Sequence, residues 1–284
     1  MEALLMKYAC ITMDVESDLN SREYDIELFR DRDKLNLFKE IIDKHDVKLT
    51  GYLVTNILEH NPLLIDNAKS LLPIKFEVHS HSHNQSEPDS EREIDKALEC
   101  YTKFFSQAPK GYRAPNGLIS PEGLIRLAEK GFVYDASIFP SYRFDEYGYN
   151  NADLPIQPYI YKTPSNDIIE LPFAVIPKVR LVVSISFIKL LSWYFYKGLI
   201  NIFGLPDILI IDTHPYDFFI KNHLHRVKGW KKIAHARNAD NAMLLFDYLL
   251  VELNKLGYKF VYVNDVIESI NKANMVRVNI KQRH

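Results

Sequence analysis

The 284-residue chain reads as an α/β protein built on a (β/α) barrel of about seven or eight parallel strands. Three observations carry this reading. Short β-rich runs alternate with helical patterns along the whole length, the mark of βαβ units. Several of the runs are continuously apolar, as strands covered on both faces are. Polar clusters follow four of them, and in a barrel the chemistry sits where the strands end.

Strand candidates are Ala9 to Met13, Lys48 to Val54, Ile74 to Val78, Gly111 to Arg113, Val133 to Ala136, Ile168 to Leu171, Ile208 to Thr213 and Lys259 to Val263. That number, separated by helices, favours a closed barrel over an open sheet. The helix ends are legible too. Ser90 and Glu93 form a capping box before Ile94, Ala97, Leu98 and Tyr101, which share one face. Ser120 and Pro121 supply an N-cap and N1, with Gly131 at the stop. Met243, Phe246, Leu250 and Leu253 mark a late helix closed by Gly257. No internal repeat appears, so residues 1–284 are read as a single domain.

A composition of 47% apolar and 25% charged residues is that of an ordinary globular core. The net charge of −2 gives no electrostatic reason to expect nucleic acid. The basic run His225 to Arg237 reads as a solvated loop or helix face. Cys10 and Cys100 are too few for a disulfide framework and lack metal-type spacing. Glu2 lies where a signal peptide wants positive charge, and Ala3 to Met6 is too brief for its apolar core. A cytoplasmic protein is therefore expected. The most apolar region, Val179 to Phe203, is interrupted by Arg180, Lys189 and Lys197, short of the ~20 uncharged residues of a membrane span.

The first cluster is Asp14 and Glu16. Residues i and i+2 of an extended chain share a face, so both carboxylates can point into one mouth, one binding a cation and the other acting as base. An acidic helix-capping loop is the plainer reading. His79, His81 and His83 alternate, which suggests metal ligation by imidazole. An i, i+4 pair suits ligation and gives either His79 with His83 or His81 with Gln85. Arg113 ends a short strand before the Pro115 turn and must be paired if it lies inside the rim, Asp14 being the natural partner. His214 ends the run Ile208 to Thr213; Asp212, two residues earlier, is placed to orient the ring, and His214 to serve as general acid.

Taken together, "TMDVES", "EVHSHSHNQ", "GYRAPNG" and "IDTHPYD" resemble the polysaccharide deacetylase family, carbohydrate esterase family four. The stretch Gly111 to Ser141 is similar over its whole length, whereas residues 142–206 are divergent and are read as an insertion or lid. The resemblance implies a distorted (β/α) barrel and a divalent metal, usually Zn²⁺. It also implies hydrolytic removal of an N-acyl group, acetyl above all, from an amino sugar or glycan. On it Asp14 is the base, Arg113 its charge partner and His214 the general acid, while Pro115, Pro215 and Tyr216 line the substrate. The family's leading Glu matches Glu77, which selects His81 as the first metal ligand, with Ser82 after it.

Three departures accompany the resemblance. Val15 stands where many members carry a second Asp, which hands the carboxylate ligand to Glu16. Gln85 stands at the second His position, so weak metal binding or substitution by His83 is expected. The usual Gly-rich stretch between the late strands is replaced by an apolar segment. Residues 184–203 are read either as a helix packed on the barrel or as an interfacial helix with Lys at its polar border. The second form points to peripheral membrane contact and a lipid-linked amino sugar. The same motifs also suit a deformylase or a hydrolase of small cyclic amides, and Val15 with Gln85 suits a metal-poor, non-catalytic sugar-binding barrel.

Overall fold

A computed structural model describes residues 6–19, 24–143 and 148–279. Residues 1–5 of the N-terminal stretch, and 144–147 of the divergent region, lie outside the described residues. The strands are β1 (Lys7–Val15), β2 (Leu49–Val54), β3 (Ile74–Ser80), β4 (Gly111–Tyr112), β5 (Tyr134–Asp135), β6 (Tyr142–Arg143) and β7 (Tyr149–Asn150). They continue with β8 (Tyr159–Lys162), β9 (Ile168–Glu170), β10 (Val175–Ile176), β11 (Leu181–Val182), β12 (Ile208–Thr213), β13 (Tyr258–Phe260) and β14 (Arg277–Asn279).

The main sheet runs β12-β1-β2-β3-β4-β5-β9-β8-β14, with β13 also on β1. Every pair in it is parallel except β8 with β9. All eight expected strands are present, although the last is shorter: Val263 opens a helix instead of ending β13. The fold is thus the expected α/β barrel type, but no continuous ladder closes it. Because β8 folds back antiparallel onto β9, the free edge of β12 is met instead by single contacts flanking the β10-β11 hairpin. Ala174 N donates to Ile210 O at 2.8 Å, and Ser184 bridges Asp212. Part of the divergent region, β8 and β9, therefore belongs to the main sheet.

The helices are α1 (Glu27–Arg30), α2 (Arg32–Lys44), α3 (Asn56–His60), α4 (Leu63–Leu71), α5 (Glu91–Phe105), α6 (Pro121–Glu129), α7 (Ile185–Leu191), α8 (Trp193–Phe203), α9 (Gly229–Ala236), α10 (Ala242–Lys255) and α11 (Val263–Ser269). Side chains of a strand alternate between its two faces. Ala9, Ile11, Met13 and Val15 of β1 accordingly join the core that includes Phe38, Ile65 and Leu253 of the helices. Cys10 joins Tyr52, Tyr134, Ile169 and Ile210 in a second cluster on the inner face. Each fully buried aliphatic or aromatic side chain contributes about 1.5–3 kcal/mol by its removal from water. Thr12, Asp14 and Glu16 continue the inner face toward the strand end.

Ser120 caps α6 at Gly123 N with Pro121 in the first turn, and Gly131 and Gly257 take positive φ after α6 and α10. Ser90 caps α5, but the Glu93 carboxylate does not return to it. It accepts from Ser82 N and Ser82 Oγ, both at 2.8 Å, and ties α5 to the histidine loop. Residues 184–203 do not form one interfacial helix. Ser192, at φ 94°, breaks them into α7 and α8 and caps α8. Among the described residues no helix is long and apolar enough to cross a membrane.

Candidate active site

The inner-face residues of β1, β3, β4 and β12 meet at one end of the sheet. Arg113, immediately after β4, is the centre of the arrangement and is almost wholly buried. Its Nε donates to Ala136 O at 3.0 Å, and its Nη1 to Thr12 Oγ1 at 3.0 Å and Asp14 Oδ1 at 2.6 Å. Asp212 Oδ1 lies at 3.3 Å. The guanidinium is sandwiched between the rings of Tyr52, at 3.9 Å, and Phe173, at 4.4 Å. One cation thus faces two carboxylates. Burial pushes Asp14 up, but Arg113 and His79 outweigh it and hold the carboxyl well below the usual range. Asp212 goes the other way: burial, with the Asp14 charge beside it, pushes its carboxyl up to about 8. Asp14 is the ionised member of the pair.

The histidines do not fall where the leading Glu suggests. Glu77 accepts from Lys110 N and Gly111 N, both at 2.8 Å, and so anchors the start of β4. His79 follows it on the same face and brings Nε2 to 3.6 Å from Asp14 Oδ2. The β2-β3 register slips between Leu53 and Val54, whose partners are Val78 and Ser80. Strand alternation ends there, so His81 is not carried into the mouth. Its ring nitrogens face Thr55, Cys100 and Glu59 instead. His83, at φ +55°, turns the chain back and places Nε2 at 3.0 Å from Glu16 Oε2. The His79 and His83 rings are 5.2 Å apart. Gln85 is exposed. His81 and Gln85 are therefore corrected as mouth residues, and His79 with His83, the other i, i+4 pair, takes their place.

Opposite these, His214 follows β12. Its Nε2 lies 3.8 Å from Glu16 Oε1, while its Nδ1 faces Asp217 Oδ2 at 3.2 Å and Asp212 Oδ2 at 3.9 Å. Asp217 also accepts from His214 N at 3.0 Å, so this residue, more than Asp212, orients the ring. The Asp217 carboxylate is held in turn by Lys189 Nζ at 2.9 Å and Ser186 Oγ at 2.7 Å, both from α7. Lys189 is thus a buried partner of the site and not the polar border of a helix. Burial lowers the His214 pKa, but Asp212, Asp217 and Glu16 overcome it and bring it up to about 10. Tyr216 stacks on His214 at 4.8 Å and approaches Glu16 Oε1 with its hydroxyl at 3.3 Å. Pro115 and Pro215 are buried in the turns behind Arg113 and His214.

The donor set suits a divalent metal. Glu16, His79 and His83 offer one carboxylate and two imidazoles, ligand types that zinc takes. Burial keeps His79 below the usual imidazole pKa and so favours the ligating neutral form. Beside them Asp14, Asp212 and His214 converge, with donor atoms within 4.8 Å of one another. Val15 packs in the helix-facing core, and Glu16, the next residue, brings its carboxylate to His83.

The polysaccharide deacetylase family model matches residues 31–134. No curated protein sequence matches the chain. Among solved structures, a Mycobacterium smegmatis protein assigned as a polysaccharide deacetylase is similar with a TM-score of 0.64 at 14% identity, over 100% of this chain and 97% of its own. An allantoinase is similar at 0.59 and 10% identity, over 92% and 89% of the two chains. A carbohydrate esterase family four pseudoenzyme from Bacillus anthracis gives 0.51 at 14% identity, over 96% and 67%. These likenesses carry the fold, and the family model adds a sequence match over residues 31–134, a minority of the chain.

Proposed function

We propose that the chain is a metal-dependent hydrolase that removes an N-acyl group, acetyl in the first instance, from an amino sugar or glycan. The observation that supports this most is the opposed charge state across one mouth. Asp14 is kept ionised by Arg113, and His214 is kept protonated with the Asp217 and Glu16 carboxylates beside it. A base and an acid poised in this way suit amide hydrolysis, which needs a proton taken from water and one given to the departing amine.

Glu16, His79 and His83 would hold the ion, Zn²⁺ by the donor set. When bound, such an ion polarises an acyl carbonyl and lowers the pKa of water. Asp14 Oδ1 is committed to Arg113, so Oδ2, on the mouth side, is the atom that accepts the proton. His214 Nδ1 is fixed by Asp217, which leaves Nε2–H facing the mouth to protonate the amine. Tyr216, stacked on His214 and near Glu16, would border the acyl group. Acetate release from N-acetylglucosamine oligomers by zinc-loaded protein, lost in Asp14→Asn, tests the assignment. A metal-loaded protein that binds such oligomers without releasing acetate would instead fit the sugar-binding role.

One surface favours a lipid-linked amino sugar as the substrate. Phe187, Leu191, Tyr194, Phe195 and Ile202 of α7 and α8, and Ile233 of α9, are exposed. The ring of His235, also on α9, lies 6.4 Å from Tyr216, so this apolar surface borders the mouth. Peripheral membrane contact through residues 184–203 follows from that reading. Flotation with liposomes tests it, and protein that stays at the bottom of the gradient removes it.

A further inference from the structure

On the far side of the β3 end from the mouth, three different ligand types converge from three elements. Glu59 comes from α3, His81 from the loop after β3 and Cys100 from α5. Cys100 Sγ lies 3.3 Å from Glu59 Oε1 and 3.9 Å from His81 Nδ1. His81 Nε2 lies 3.7 Å from Glu59 Oε2, and one donor atom from each residue falls within 4.8 Å of the others. Zinc binds sulfur at about 2.3 Å and nitrogen or oxygen at about 2.0–2.1 Å, which spaces tetrahedral donors about 3.3–3.6 Å apart. With Nε2 of His81 as the donor, its 3.7 Å separation from Glu59 Oε2 is near that spacing, and the three-residue set as a whole lies within 4.8 Å.

We propose that Glu59, His81 and Cys100 form a second metal site, for a zinc-class cation, separate from the mouth and independent of the reaction assigned to it. A thiolate with an imidazole selects borderline and soft ions over Mg²⁺ or Ca²⁺, which prefer all-oxygen sites. Thr55 Oγ1, 3.2 Å from His81 Nδ1, orients the ring as an outer partner of a metal site does. On binding, the Cys100 thiol gives its proton to solvent as the sulfur–metal bond forms, and the added positive charge offsets the pairing of thiolate with Glu59. Among the charges near His81, Glu59 and Glu93 favour a cation there and Lys96 opposes it. An ion at this point clamps α3 and α5 to the single turn that separates His79 from His83.

Only one thiol can report this event, because Cys10 is fully buried and the mouth contains no cysteine. Cobalt(II) added to metal-stripped full-length protein should give a thiolate-to-cobalt charge-transfer band. The band should persist in His79→Ala/His83→Ala and vanish in Cys100→Ser and in His81→Ala. Maleimide labelling of the native protein gives a second reading that needs no variant, since zinc should protect Cys100. No sulfur band at saturating cobalt, a band that survives Cys100→Ser, or labelling that zinc leaves unchanged would each overturn the proposal.

Discussion

Lys189 and Asp217 form an ion pair of 2.9 Å in which both side chains are closed to solvent, behind the ring of His214. Lys189, with Ser186 and His214, brings the Asp217 carboxyl well below its ordinary range despite burial. Breaking a buried pair from one side leaves an uncompensated charge, which costs about 3–5 kcal/mol. Lys189→Met is expected to destabilise the protein by that order in urea unfolding, and adding Asp217→Asn should recover part of the loss. The sign with pH follows from the depressed value. The Asp217 contribution is present above its unfolded pKa of about 3.9 and is lost as pH falls through the lower folded one. The slope of stability against pH in that acid range should be flatter in Asp217→Asn.

The same carboxylate helps to keep His214 protonated. Its removal lowers the His214 pKa from its raised value of about 10. In Asp217→Asn the alkaline limb of the pH profile of kcat/KM, where the general acid loses its proton, is expected to move to lower pH. An unmoved limb in a folded variant would show that His214 is not the acid.

Arg113 sets the other limb. Without the guanidinium, burial would be opposed only by His79 and His214 and the Asp14 pKa would rise, so a higher pH would be needed to ionise the base. Arg113→Gln is expected to move the acid limb upward, together with a loss of stability, because Asp14 and Asp212 would then face each other with no cation between them. Profiles of folded protein separate the two effects.

Of the three histidines after Glu77, His79 and His83, and not His81, face the mouth. Alanine at either should remove hydrolysis together with the mouth metal, read as one equivalent lost in metal analysis. His81→Ala should leave hydrolysis in place. The opposite outcome would restore the ligand set that the position of Glu77 suggests.

Much of this site is legible in the chain because strand alternation is a local rule. Asp14 with Glu16, Gly111 with Arg113, and Asp212 with His214 are i, i+2 pairs, and each pair sits on the inner face as the rule requires. The rule stops where a strand stops. At the end of β3 a one-residue slip in register and the left-handed turn at His83 decide which imidazole enters, and neither is written in composition or periodicity. Glu77 is a misleading marker because its carboxylate serves the β4 backbone. Taking His79 as the next inner-face residue after Glu77 finds the right ring. Lys189 escapes sequence reasoning for another reason. On a helical wheel it looks like a solvated border, and only the contact of α7 with the turn after β12 turns it inward. The unclosed barrel is likewise a tertiary matter, fixed by β8 folding back on β9 far from any local signal.

On the proposed function, residues from β1, β3, β4 and β12 act together as one hydrolytic mouth with Asp14 as its base. The most direct test is acetate release from N-acetylated amino-sugar oligomers by zinc-loaded wild-type protein and by folded, zinc-loaded Asp14→Asn. Release by the wild type, reduced on the order of 10²–10⁴-fold in the variant, is the predicted result. Equal rates in the two proteins would contradict it.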